Sequence, residues 1–197
     1  MPAAIVLAAG RGSRFRAEAG ADQDKLLADC VGRDGVMRPV IEQVLVSLPD
    51  SLAERWLVTS PDRTEVIRLA EAHGCQVLLL QSAGMGESIA AAVAASASAD
   101  GWLVVLGDMP FIQTSSIERV VEALEDGGIS VPVQAGEYGH PVAFGRAFGP
   151  RLMALTGDRG GKSLFTCATV REVQVEDAGV LWDVDLPKQL SFSADSI

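Results

Sequence analysis

At 197 residues and 48% hydrophobic content, the chain has the length of one domain with a sizeable core, and a second domain is not expected. A formal net charge of −10 and a pI near 4.6 exclude a general nucleic-acid binder, which needs a basic face to displace counterions. Cys30, Cys75 and Cys167 are odd in number, far apart and without a C-x-x-C pair, so they indicate neither a disulfide framework nor a zinc site and read as small apolar residues in a reducing compartment. The N-terminus lacks a charged segment followed by a long apolar one, and no run approaches the ~18 apolar residues of a spanning helix. The expectation is a cytoplasmic protein with neither membrane nor nucleic acid as partner.

In chain order, Ala3–Leu7 is wholly apolar and predicts a buried first strand of a parallel sheet. A small-residue loop follows, Leu7-Ala8-Ala9-Gly10-Arg11-Gly12-Ser13-Arg14. Gly10 and Gly12 permit positive φ and close backbone approach, so successive N–H groups can face one concavity and bind an anion. Arg11, Arg14 and Lys25 add positive charge, and the chemistry expected is a polyphosphate cradle. The loop is neither a Walker A sequence nor a dinucleotide fingerprint, because it lacks both Gly-Lys-Ser/Thr and a third glycine at the required spacing. Arg16–Asp24 is polar, has no apolar anchor and reads as a mobile excursion.

Gly32–Gly35 predicts a turn and Pro39 a first helical position, followed by a core face of Ile41, Val44, Leu45 and Leu48. Trp56–Thr59 predicts a second strand, Ser60-Pro61 the start of a helix to about Ala72, and Gln76–Leu80 a third strand after Gly74. His73 reads as a partner of the helix C-terminal dipole. A helix opens at Gly84-Met85-Gly86-Glu87-Ser88-Ile89, capped by Ser82 or Gly86, and runs to about Ala99. On pattern alone this is an ordinary helix start, although its amides and the Ser88 hydroxyl can also meet a nucleotide.

Trp102–Leu106 is an apolar strand that ends in Gly107-Asp108-Met109-Pro110, at the carboxyl edge where open α/β sheets place ligands. Ile117, Val120, Val121 and Leu124 mark another core helix, closed by Gly127-Gly128. Ser130–Val133 and Gly139–Phe144 read as strands joined by a turn over Gln134–Tyr138. Gly157-Asp158-Arg159-Gly160-Gly161-Lys162 is a polar loop that opens a helix near Ser163 and can either turn or hold a phosphate. Asp183 and Asp185 share one face of an extended segment and can approach one cation, or be paired turn carboxylates. Ser191–Ile197 reads as a loose tail after a domain spanning residues 1–190.

LAAGxGxR with a following lysine, GDMP and DVDLP together resemble the nucleotidyltransferase superfamily, and the likeness runs from Leu7 to Pro187. Within it, Ala9 before Gly10, Gly139-His140-Pro141-Val142 and the DVDLP ending look most like the molybdenum cofactor cytidylyltransferase branch. The superfamily lysine usually follows the arginine by only a few residues, whereas the interval from Arg14 to Lys25 is longer.

The resemblance implies a single-domain, three-layer α/β/α fold with a mostly parallel Rossmann-like sheet and a small antiparallel element. It implies transfer of CMP from CTP to the phosphate of molybdopterin, with pyrophosphate released and Mg²⁺ as cofactor. Arg14, Lys25 and Asp108 would be catalytic. Leu7 to Arg14, Lys25, Gly84, Ser88 and Asp108 would bind nucleotide. Asp108 and Asp185 would bind metal, with Asp183 nearby. His140, Gly157, Asp158, Arg159, Gly160 and Lys162 would face the acceptor. A molybdoenzyme or its chaperone would be a transient partner. The alternatives are a sugar phosphate or methylerythritol phosphate as acceptor, GTP as donor, or a nucleotide-binding cofactor chaperone without chemistry.

Overall fold

The first strand, β1 (Ala3–Leu7), has apolar residues on both faces, and they alternate between two cores: Ala4 and Val6 pack on one side of the sheet, Ala3 and Ile5 on the other. That double burial is what an uninterrupted apolar run requires. The computed structural model describes residues 1–81 and 84–193. After β1 come α1 (Ser13–Ala19), β2 (Asp29–Val31), β3 (Met37–Pro39), α2 (Val40–Ser47), β4 (Glu54–Thr59), α3 (Thr64–Ala72) and β5 (Gln76–Leu79). The second half contains α4 (Met85–Ala95), β6 (Gly101–Leu106), α5 (Thr114–Glu122), β7 (Gly128–Gln134), β8 (Glu137–Tyr138), β9 (Val142–Gly145), α6 (Gly149–Met153) and β10 (Thr169–Gln174). Among the described residues no helix is long and apolar enough to cross a membrane.

The main sheet runs β10-β7-β9-β6-β1-β4-β5, with β8 paired to β7. Strands β4 and β6 flank β1 in parallel, β5 is parallel to β4, and β10 is parallel to β7. Strand β9 is inserted antiparallel between β6 and β7, and the short β8 also runs antiparallel to β7. Apolar residues of α2, α3 and α5 join one core and those of α4 and α6 the other, so helices cover both faces of a single α/β domain. Leu7 is level with Val58 of β4 and with Leu106 of β6. The loops that leave these central strands therefore emerge at one edge, where a ligand site belongs.

The structure corrects several expectations. Residues 16–19 of the stretch read as a mobile excursion belong instead to α1, because Phe15, one position before the polar run, is 2% exposed and anchors the helix. Helix α3 starts at Thr64, four residues after Ser60, and α4 ends at Ala95. A separate hairpin of β2 and β3 frames the turn at 32–35, and Pro39 caps α2 from outside. Glu137 and Tyr138, read as turn, pair with β7 across Ala135 and Gly136, both at positive φ. The Ser82 cap lies outside the described residues. Of the stretch read as a loose tail, Phe192 stacks at 5.0 Å from Phe111 and 5.3 Å from Trp182, with the Arg33 guanidinium over its ring. The aromatic burial holds that part of the chain to the core.

Candidate functional site

A cleft of about 580 Å³ opens at the carboxyl edge of the sheet, lined by Leu7 to Arg11, Lys25, Leu26, Gly84, Met85, Ser88, Leu106, Asp108 and Asp158. The loop after β1 follows its rim. Gly12 takes φ +59° at the entry to α1, while Gly10 has ordinary negative φ; the left-handed residue expected in the loop is thus Gly12 alone. The backbone of Gly12 lies against the Lys25 side chain, where an added Cβ would meet Cγ at 3.4 Å. Gly107 permits a second close approach: its N–H donates to Leu7 O at 3.0 Å, and a Cβ there would meet that oxygen at 2.8 Å. Asp108 is thereby brought beside the end of β1.

The charged centre of the site is Lys25. Its Nζ lies 2.6 Å from Asp108 Oδ2 and 3.1 Å from Asp185 Oδ1, with the lysine 8% exposed. Arg14 Nη1 donates to the other Asp185 oxygen at 2.7 Å. Burial alone would lower the Lys25 pKa, but the Asp108 and Asp185 carboxylates outweigh it and raise the pKa. Burial works against the Asp185 carboxylate as well, and Lys25 and Arg14 nonetheless hold its pKa below the ordinary value. For Asp183, burial and the negative charges of Asp185 and Asp108 push the pKa up.

The C-terminal carboxylates are delivered by backbone tethers. Val184 N–H donates to Asp108 O at 2.8 Å, and Gln189 Oε1 accepts from Asp185 N–H at 2.9 Å and Leu186 N–H at 2.7 Å. Among the described residues no cluster of three His, Cys, Asp or Glu side chains forms a metal cage. The donor set nevertheless fits a hard divalent ion. A cation, the Lys25 ammonium, already sits between two carboxylates, and phosphate oxygens would supply the remaining ligands.

Most of the other expected residues are divided between two cavities, while Gly157 and Arg159 line neither. Ser88 is buried at the cleft wall, and its hydroxyl donates to Gly84 O at 3.2 Å. Gly86 N–H donates to Gly157 O at 2.8 Å, and a Cβ on Gly84 would strike the Gly157 backbone, so the 157–162 loop is packed directly on the start of α4. Asp158 reaches the cleft. His140, Gly160 and Lys162 instead line a neighbouring cavity of about 290 Å³, with Met85, Ile89, Val104, Val142, Phe144 and Gly161. Met85 borders both cavities. Arg159 is exposed and borders neither, and Gly12, Ser13 and Arg14 lie beyond the rim of the first. His73, expected at a helix C-terminus, does close α3, and its Nε2 lies 3.1 Å from Glu42 Oε1 on α2, away from the cleft.

His140 Nδ1 is buried without a partner among the described residues. Burial, reinforced by the charge of Lys162, lowers the His140 pKa to about 4. An unfolded histidine titrates near ~6.5, so between that pH and about 4 the unfolded chain binds more protons than the folded one. Stability is therefore lost as the pH falls through this window and is unaffected above it. Urea denaturation at pH 5 and pH 7.5 should show a smaller acid loss for His140→Gln than for the parent, by about 2 kcal/mol. Equal losses would mean that His140 does not carry the effect.

Arg63 and Gln189 were not marked by any motif, yet both hold site backbone: Arg63 the loop after β1, Gln189 the segment with Asp185. The signal for Arg63 is tertiary, whereas that for Gln189 is local: it stands three residues after Leu186, behind Pro187, and completes a capping box on the short helical turn Pro187–Leu190.

A glycine loop, a buried lysine and two converging carboxylates thus meet at the carboxyl edge of the central parallel strands, the groups that handling a polyphosphate with a hard cation would require. The family described as the MobA-like NTP transferase domain matches residues 4–175, and the chain belongs to that family. The bifunctional protein GlmU of Acidiphilium cryptum is 30% identical over 148 residues, covering 75% of this chain and 31% of that protein. The chain thus spans about a third of the length of this curated relative.

Among solved structures, a nucleotidyl transferase from Methanothermobacter thermautotroptrophicus superposes with a TM-score of 0.78 at 23% identity, covering 96% of this chain and 94% of that one. Rv0371c of Mycobacterium tuberculosis gives a TM-score of 0.78 at 26% identity, covering 95% and 93%. A structure of Rv0371c in complex with manganese matches with a TM-score of 0.73 at 25% identity, covering 95% and 94%.

Proposed function

We propose that this enzyme transfers CMP from CTP to the terminal phosphate of a molybdopterin-type cofactor and releases pyrophosphate. The observation that carries the reading is the convergence of Asp108 and Asp185 on Lys25, at one end of a cleft rimmed by the loop after β1. The cytidylyl and molybdopterin assignments are supported by Ala9 before Gly10, by the G-H-P-V segment and by the DVDLP ending. The neighbouring cavity supports a ring-bearing acceptor: Ile89, Val142 and Phe144 give it apolar walls, while His140 and Lys162 supply polar contacts.

In this reading an acceptor phosphate oxygen attacks the α-phosphorus in line, and the bond to pyrophosphate breaks. The protein supplies positioning and charge rather than covalent chemistry. Amides of Ala9 to Ser13 hold the β- and γ-phosphates, the Ala8 N–H expected among them being spent on Val58 O at 2.8 Å, and Arg14 adds charge beside them. The Lys25 ammonium moves its charge from the carboxylates to the α-phosphate, where negative charge grows in the transition state. The Gly84–Ser88 segment holds the base and ribose, and His140 with the 157–162 loop orients the acceptor. Asp108 and Asp185 would hold Mg²⁺, which supplies neutralisation of phosphate charge when bound.

The test is pyrophosphate release with Mg²⁺ from CTP, GTP, ATP and UTP, with and without purified molybdenum cofactor. Release from CTP only when the cofactor is present is the expected result. Release with a sugar phosphate or methylerythritol phosphate instead would reassign the acceptor, and release from GTP would reassign the donor. CTP that binds and stays intact with every acceptor would make the protein a nucleotide-binding chaperone.

A further inference from the structure

Arg63 lies in the loop between β4 and α3, and its side chain is 8% exposed. It sits behind the loop that follows β1 rather than in the cleft wall. Its Nη1 donates to Ala8 O at 3.0 Å, and its Nη2 donates to Gly10 O. The same Nη1 is 3.7 Å from Asp24 Oδ2, next to Lys25 in sequence. Asp24 is itself tied to that segment, accepting from Leu26 N–H at 3.0 Å through its side chain and from Leu27 N–H at 3.0 Å through its carbonyl. One guanidinium thus spans two alternate carbonyls of the loop and the residue preceding the site lysine.

The trans peptide links these carbonyls to the amides that matter. In each peptide unit the N–H points opposite to the C=O. Drawing the Ala8 and Gly10 carbonyls back toward Arg63 therefore turns the N–H groups of Ala9 and Arg11 to the other side of the loop. Ala9, Gly10 and Arg11 border the cleft whereas Arg63 does not, which puts the cleft on the side these amides face. Among the described residues no backbone carbonyl accepts from the N–H of Ala9, Gly10 or Arg11, so these donors are available to an anion. Thr59 Oγ1 adds a bond to Ala8 O at 3.2 Å, but among the described residues only Arg63 reaches both carbonyls. An arginine suits the task because its planar fork presents several donors in fixed directions, whereas a lysine offers one mobile point charge.

We infer that Arg63 is a positioning residue of the phosphate site: by clamping the Ala8 and Gly10 carbonyls from behind, it aims the loop amides at the β- and γ-phosphates of the nucleotide and holds Lys25 in step with them. This inference rests on the reading of the cleft as a nucleoside triphosphate site.

The experiment is calorimetric titration of the full-length protein with inorganic tripolyphosphate in the presence of MgCl₂, alongside steady-state kinetics with CTP. For Arg63→Met, affinity for tripolyphosphate should fall by about ten- to a hundredfold, and KM for CTP should rise by more than kcat falls. Arg63→Lys should recover part of the affinity, because it restores charge and a single bond. Methylguanidinium added to Arg63→Ala should recover part of it too, which no general loss of packing would allow. Should Arg63→Met fail to fold by circular dichroism, Arg63→Lys decides: an affinity several-fold below the parent at unchanged Tm supports the inference, and parental affinity overturns it. Parental affinity in a folded Arg63→Met also overturns it. Failure of the parent protein to bind either tripolyphosphate or CTP would instead overturn the underlying nucleotide reading, and the inference with it.

Discussion

Replacing Lys25 with methionine should lower kcat by about 10²–10³-fold while changing the KM for nucleotide only a few fold. In the free protein the ammonium is paired with both Asp108 and Asp185, so a ground-state nucleotide gains little from it. Charge at the α-phosphate grows as the new bond forms, and that is when the lysine has most to offer. Steady-state kinetics separate the two cases: an effect confined to KM would contradict a role in the transition state. Methionine keeps the stem that packs on Gly12, so the comparison isolates the charge.

Asp108→Asn should cost about 10³-fold in Mg²⁺-dependent turnover and shift the Mg²⁺ requirement to higher concentration. The substitution keeps the shape of the side chain and removes the charge that a hard cation needs. Turnover measured across a Mg²⁺ titration checks this, and full activity at the parental Mg²⁺ optimum would remove Asp108 from the metal site. Lys25 and Asp108 are in direct contact, so the double variant should lose much less than the product of the two single losses. Multiplicative losses would mean that the two side chains act independently.

Much of this arrangement could be read along the chain because it depends on local patterns. The apolar runs of β1, β4 and β6 and the helical faces of α2 and α5 declare themselves by periodicity, and Asp108 and Lys25 stand in short motifs. Strand β10 gave no such signal, since it is an edge strand with Arg171 and Glu172 exposed and little apolar surface to reveal it. The β2–β3 hairpin escaped for a related reason: its strands are three residues each and bury little beyond Cys30. Helix α1 depends on a single anchor, Phe15. Arg63 is farther from sequence reasoning than any of these, because its bonds join residues 53 and 55 positions apart and follow from the lateral pairing of β1 with β4. The same applies to the division of the acceptor-side residues. Only the packing of the 157–162 loop on α4 decides that Asp158 faces one cavity and Lys162 the other.

The site also has an order in time. Lys25 meets Asp108 across 83 positions and Asp185 across 160, and Arg14 meets Asp185 across 171. On the ribosome the phosphate loop emerges early, long before the carboxylates that balance it. Contacts of such long range form late and slowly. Until the DVDLP segment has been synthesised and docked, a nascent chain has a basic loop and half of its carboxylate pair, so the proposed site is complete only once that segment meets Lys25 and Arg14.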